Sequence, residues 1–98
     1  MKVDLSTIRN DVYDALASLS WADLGSFDDA SVLRDPPLRL TDNAFSVLPM
    51  TFSRISKVYG GTTVRPSDMN ALKTVGDCVN LVYNRANSQP DQQVRRAP

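Results

Sequence analysis

The sequence predicts an all-α fold, a small helical bundle of three long helices plus one short helix, with a long first loop. Three segments carry apolar residues that recur every three or four positions, which is the period of a helix with one buried face. Glycine and proline pairs separate these segments. Because each segment has the helical period, we expect no β-sheet. By length the chain is one domain with a modest core. We place this domain at residues 1–86.

The first predicted helix spans residues 7–19. Its apolar stripe has spacings of four, four and three residues and consists of Ile8, Val12, Leu16 and Leu19. No glycine or proline interrupts the segment, and both residue types disfavour a helix interior. We therefore expect one continuous helix with this stripe in the core.

A long loop follows at residues 20–41. Gly25 and the pair Pro36-Pro37 break regular structure there. The loop is rich in apolar residues, namely Trp21, Leu24, Phe27, Val32, Leu33, Leu38 and Leu40. A loop of this length is unusual unless it is functional or packs its own side chains inward. We expect it to lie against the bundle, with its aromatic residues closing the core and a short helical turn at 30–33.

The second helix is predicted to end at Tyr59, because Gly60 and Gly61 follow and a glycine pair is a strong stop signal. Its apolar stripe consists of Leu48, Phe52, Ile55 and Tyr59. Arg54 and Lys57 lie off this stripe, and residues 46–59 contain no acid. The exposed face of this helix is therefore predicted to be neutral to basic.

Pro49 decides where the second helix can begin, because proline fits a first turn but costs about 3 kcal/mol in a helix interior. If Ser46 is the N-cap, Pro49 falls in the first turn and the helix spans 46–59. If the helix begins at Thr41 or Asp42, Pro49 lies inside it and should kink it. We prefer the first alternative because it avoids the cost of the proline.

Two further helices complete the prediction, a short one at residues 66–72 and a long one at 74–86. The stripe of the last helix consists of Val75, Val79, Val82 and Ala86. Cys78 adjoins that stripe and is expected to be a small buried hydrophobe. Residues 87–98 are polar and contain prolines, so we expect a disordered tail.

Composition excludes several classes of function. The chain has no histidine, which removes the commonest general base and most zinc sites, so we do not expect an enzyme or a metal site. Eleven basic and eleven acidic residues cancel, which gives no reason to expect nucleic acid or an anionic membrane as partner. A single cysteine is typical of a reducing compartment, and the N-terminus is unlike a signal peptide. We expect a cytoplasmic monomer.

The predicted order of helices is the architecture of acyl and peptidyl carrier proteins, and residues 5–86 resemble that family in two places. The segment STI at 6–8, with Val12 and Leu16 on the next turns, looks like the start of its first helix. The segment TVGDCV at 74–79 is similar to the Thr-Val-x-Asp-x-Val opening of its last helix and is the more specific likeness.

This resemblance implies a function and a cofactor. In that family a serine at the start of the second helix, inside an Asp-Ser-Leu motif, carries a 4'-phosphopantetheine arm that a phosphopantetheinyl transferase attaches. The arm holds an acyl intermediate for the enzymes of a lipid, polyketide or peptide pathway. The implied partners are therefore biosynthetic enzymes and the transferase. A helix N-terminus suits the phosphate because its free N–H groups and partial positive charge favour an anion.

No Asp-Ser-Leu occurs in this chain, and two stretches compete for its place. The stretch 42–44 keeps the acid but has asparagine where the family has serine, which would make it unmodifiable. The stretch 45–47 keeps a serine but lacks the acid. The position of Pro49 favours Ser46 as the start of the helix, so Ser46 is the candidate attachment site. The spacing in the family, measured back from Tyr59, would instead place the serine at Phe45. The alternative is an interaction module that keeps the carrier fold and lacks the arm.

Overall fold

Three α-helices form the frame of the molecule in a computed structural model that describes residues 3–87. They are α1 (Leu5–Ser20), α2 (Asp42–Val58) and α3 (Val75–Ala86), and two 3₁₀ helices lie between them, at Leu24–Ser26 and Pro66–Ala71. The predicted all-α bundle is confirmed, since the described residues contain no strand beyond one isolated bridge. None of the helices within 3–87 combines the length and hydrophobicity that a bilayer-spanning helix requires. The predicted tail, apart from Asn87, lies outside the described residues.

The helices have a defined relative direction. Near the end of α2, the backbone N–H of Thr62 donates to the carbonyl of Arg85 in the last turn of α3 (3.0 Å). Near the start of α2, the Leu33 carbonyl accepts from the backbone N–H of Leu40. The Leu33 N–H donates to the backbone carbonyl of Lys73, just before α3. The two helices therefore run parallel. At the other end of the chain, the N–H of Val3 before α1 donates to Asn87 after α3, so α1 runs antiparallel to α3.

The predicted stripes supply the core. The residues of the first and last stripes are buried except Leu19, which is half-buried, and Leu48 and Phe52 of α2 are fully buried. Cys78 is buried among them as predicted. Its thiol is removed from water, and this burial raises the pKa of Cys78 to about 12, so the thiolate form does not contribute at neutral pH.

The second helix begins earlier than we preferred. Thr41, not Ser46, is the N-cap, and its hydroxyl oxygen accepts a hydrogen bond from the N–H of Ala44 (3.2 Å). Pro49 therefore lies inside α2, where it leaves the carbonyl of Phe45 without an intrahelical donor. The preferred start was wrong because tertiary packing, not intrinsic propensity, supplies most of the stability of a helix in a protein. The predicted stop is confirmed by the left-handed backbone of Gly60 (φ 81°).

The long loop packs against the bundle, as its apolar residues predicted, but its two aromatic residues differ. Phe27 is buried, together with Leu33, Leu38 and Leu40. Trp21 is 93% exposed, so the prediction that it closes the core is wrong. It directly follows α1 with a left-handed backbone (φ 63°), at the point where the chain reverses. The short helical turn lies at Leu24–Ser26, before the predicted position at 30–33.

Asp29 fixes this loop to two helices. Its carboxylate accepts hydrogen bonds from the Tyr13 hydroxyl (2.5 Å) and the Arg9 guanidinium (3.2 Å) on α1. Its backbone carbonyl accepts from the N–H of Gly76 on α3 (2.8 Å). Burial of the phenol, with the hydrogen bond to Asp29, raises the pKa of Tyr13 to about 12, and the same bond lowers the pKa of Asp29. The loop is therefore an integral part of the bundle.

Two buried serines of α2 hold the connection that follows it. The Ser53 hydroxyl donates to the carbonyl of Val64 (3.1 Å) and accepts from its N–H (2.8 Å). The Ser56 hydroxyl donates to the carbonyl of Thr62 (2.7 Å). Each buried hydroxyl thus has a backbone partner, which avoids the cost of burying an unpaired polar group.

Candidate functional site

A groove opens at the N-terminal end of α2, between the long loop and the 3₁₀ helix Pro66–Ala71. Its volume is about 690 Å³, which is within the range of ligand-binding pockets. The apolar part of its lining consists of Val32, Leu33, Phe45, Met69 and Leu72. The polar part consists of Arg34, Asn70, Lys73 and Thr74. We call this cavity the α2 groove.

Two cations lie on the α2 groove. The Arg34 guanidinium is 4.2 Å from the centroid of the Phe45 ring, and its Nη1 is 2.7 Å from Oδ1 of Asp42. The Arg34–Asp42 pair is exposed, so it positions Arg34 more than it stabilises the fold. No carboxylate of the described residues lies within 4 Å of the Lys73 ammonium group. The groove is therefore an apolar surface with a basic edge.

The segment TVGDCV has a structural role beside this groove. Thr74 caps α3, and its hydroxyl oxygen accepts from the N–H of Asp77 (3.2 Å). The Asp77 carboxylate in turn accepts from the N–H groups of Lys73 (2.9 Å) and Thr74 (3.1 Å), which lowers the pKa of Asp77. A Cβ on Gly76 would lie 3.1 Å from the carbonyl oxygen of Asp29. The threonine, glycine and aspartate of this segment are thus explained by the start of α3 and the loop packed on it.

Ser46 is the fifth residue of α2, and its side chain is exposed. Its hydroxyl donates to the carbonyl of Asn43 (2.6 Å). The residues at the helix start are instead Thr41, Asp42 and Asn43. The helix therefore begins at the stretch with asparagine, and the stretch with serine lies inside it. Ser46 follows Phe45 in sequence and is not itself among the residues that line the α2 groove.

The outer face of α2 carries exposed apolar side chains, which the sequence analysis did not single out. Val47, Met50 and Val58 are 37%, 60% and 75% exposed. With Arg54 they follow spacings of three, four and four residues, so they form one stripe opposite the buried one. Arg54 and Lys57 are exposed as predicted. We call these five residues the outer face of α2. The helical spacing of Val47, Met50 and Val58 is visible in the sequence and predicts such a stripe.

Residues 3–87 contain no group of three His, Cys or Asp side chains that is placed to hold a metal ion. Comparisons with models of protein families, with curated proteins and with solved structures returned no match.

The position of the N-cap makes a prediction about stability. Thr41→Ala should lower the free energy of unfolding by about 1 kcal/mol, because it removes the capping hydroxyl. Ser46→Ala should change it by less than about 0.5 kcal/mol, because the residue is exposed and lies inside the helix. Urea denaturation of both variants measures the difference. A larger loss of stability in Ser46→Ala than in Thr41→Ala would instead place the N-cap of α2 at Ser46.

Proposed function

We propose that the chain is a carrier-like helical module that binds partner proteins through α2 and works without a prosthetic group. The observation that carries this proposal is the outer face of α2. Its apolar side chains are solvated while the opposite side of the same helix is packed in the core. Exposed apolar residues next to unpaired charges are typical of an interaction surface.

The start of α2 supports the same proposal. A carrier needs a serine at this helix terminus, and Thr41, Asp42 and Asn43 occupy it here. Asp42 and Asn43 have no hydroxyl for the phosphodiester link, and the hydroxyl of Thr41 caps the helix by accepting from the N–H of Ala44. The α2 groove lies beside this terminus and has the size and apolar lining to take one large side chain of a partner. Together the groove and the outer face would give a partner one anchor and one helical contact.

Site-specific photocross-linking in the producing cell tests the proposal. A photoreactive amino acid in place of Met50 should give a defined protein adduct, because Met50 is an apolar residue of the outer face and is 60% exposed. The same amino acid in place of Ser18, exposed on α1, is the matched control and should give none. Equal labelling at the two positions would contradict a partner on α2.

A second candidate function is an acyl carrier with its arm on Ser46. The exposure of Ser46 favours it, and Phe45, the preceding residue, lines the α2 groove, which could take a tethered acyl chain. This function would add 4'-phosphopantetheine as cofactor and a transferase and biosynthetic enzymes as partners. Peptide mapping after incubation with transferase and coenzyme A would then locate the arm on Ser46, and Ser46→Ala would abolish it. If no peptide carried the arm, the interaction module would remain as the proposed function.

A further inference from the structure

Charge is distributed unevenly along this chain although the total is zero. Residues 1–38 contain seven Asp and three Lys or Arg, whereas residues 39–73 contain two Asp and five Lys or Arg. The second segment holds α2 and the 3₁₀ helix after it. The segment that contains α2 therefore has a net positive charge, and the segment with α1 and the long loop has a net negative charge.

The ion pairs increase this difference. Both acids of the basic segment are already paired, Asp42 with Arg34 (2.7 Å) and Asp68 with Arg85 (3.0 Å). All five cations of that segment lack a described carboxylate within 4 Å, namely Arg39, Arg54, Lys57, Arg65 and Lys73. Arg54 and Lys57, the two of these cations that lie on the outer face of α2, are consequently available to a binding partner.

We infer that the partner of the outer face of α2 is a protein segment that forms an acidic amphipathic helix. This inference rests on the proposed function and names the chemistry of the partner. The apolar side of such a helix would pack on Val47, Met50 and Val58, which recur at helical spacing. Its carboxylates would lie against Arg54 and Lys57, as in other helix-to-groove recognition.

The surroundings of the outer face favour this partner over a basic one. On its α1 side a shallower groove of about 440 Å³ is lined by Asp11, Asp14, Arg54 and Val58, among others. Asp11 accepts a hydrogen bond from the Tyr59 hydroxyl and is thereby partly engaged. A basic helix would meet these two acids only at the α1 edge, whereas Arg54 and Lys57 lie on the outer face itself and would repel it there.

The size of the surface argues against a stable dimer of this chain. The 17 residues of α2 span about 25 Å. A strip of that length and one helix in width is well below the roughly 800 Å² per partner of a standard stable interface. Such a surface suits a transient contact in which complementary charge raises the rate of association.

Titration of the full ¹⁵N-labelled chain with two designed peptides tests the inference. Both are helices of about five turns with the same apolar stripe, and their polar positions carry glutamate in one and lysine in the other. We expect the glutamate peptide to shift the amide signals of Val47, Met50 and Val58. We expect the affinity for the lysine peptide to be at least about tenfold lower than for the glutamate peptide. Added salt should reduce this difference.

Charge reversal gives the specific control. Arg54→Glu with Lys57→Glu should invert the preference between the two peptides. Arg39→Glu with Arg65→Glu makes the same change in net charge away from the outer face and should leave the preference for glutamate. Equal binding of both peptides, no binding of either, or shifts confined to α1 would overturn the inference. A dimer of the unliganded chain in sedimentation velocity, dissociated by Arg54→Glu with Lys57→Glu, would also overturn it.

The outcomes separate this inference from the function on which it rests. A protein adduct at Met50 without binding of the glutamate peptide would reject the acidic partner and leave the interaction module. If no protein adduct formed at Met50, the proposal of an interaction module would itself be rejected.

Discussion

Gly61→Ala is expected to lower the free energy of unfolding by about 3 kcal/mol, because the site has no room for a side chain. A Cβ there would lie 2.2 Å from the carbonyl oxygen of Arg85, 2.4 Å from Oγ of Ser56 and 2.5 Å from Cα of Ala86. Two of these atoms belong to the backbone of α3, so the end of α2 and the end of α3 would have to separate. Urea denaturation monitored by circular dichroism measures the loss.

Gly25→Ala is the matched control for this substitution. A Cβ on Gly25 would have no atom within 4 Å, so the change in stability should stay within about 0.5 kcal/mol. If both alanine variants were equally stable, the close approach of α2 and α3 at Gly61 would not exist in solution.

Phe52→Ala is expected to cost about 4 kcal/mol, in the range measured for large-to-small changes in a packed core. Phe52 is the largest of the fully buried side chains among the described residues. Met50→Ala on the same helix should cost less than about 0.5 kcal/mol, because Met50 is 60% exposed. Melting temperatures of the two variants give the comparison directly. Similar losses in both would mean that α2 is rotated relative to the packing described above.

The fold class could be predicted from the sequence because helical periodicity is a local property. The stripe of α3, from Val75 to Ala86, is buried as its spacing indicates. The stop at Gly60 could likewise be predicted, since a left-handed residue after a helix favours glycine. These features depend on neighbours within one or two turns, which the sequence shows directly.

The start of α2 could not be chosen by the same means. Thr41 and Ser46 are both good N-caps, and Pro49 argued for the later one. The earlier start allows Phe45 to reach the α2 groove and the guanidinium of Arg34. Arg34 is eleven residues away along the chain, so no local rule includes it.

The loop illustrates the same limit. Asp29 is held by Tyr13 on one side and by Gly76 on the other, and both contacts connect distant parts of the chain. Trp21, in contrast, is exposed although its residue type is usually buried for most of its surface. Hydrophobicity alone predicted that the loop packs on the bundle but did not determine which residues face inward.

The candidate site shows what motif reasoning contributes and where it stops. The resemblance directed attention to the start of α2, which is where the α2 groove lies. The choice of Ser46 depended on its being an N-cap, and Thr41 has that role. The outer face of α2 was predicted only as neutral to basic, because the helical spacing of the apolar residues Val47, Met50 and Val58 was not used.

The intact mass of the full chain, measured after incubation with a broad-specificity phosphopantetheinyl transferase and coenzyme A, tests the central claim most directly. A standard carrier protein in the same reaction is the control for the transferase. A module that binds partners through α2 without an arm predicts that the control gains the mass of one phosphopantetheine and this chain gains none. A gain of one phosphopantetheine by this chain would contradict the claim and establish the carrier function.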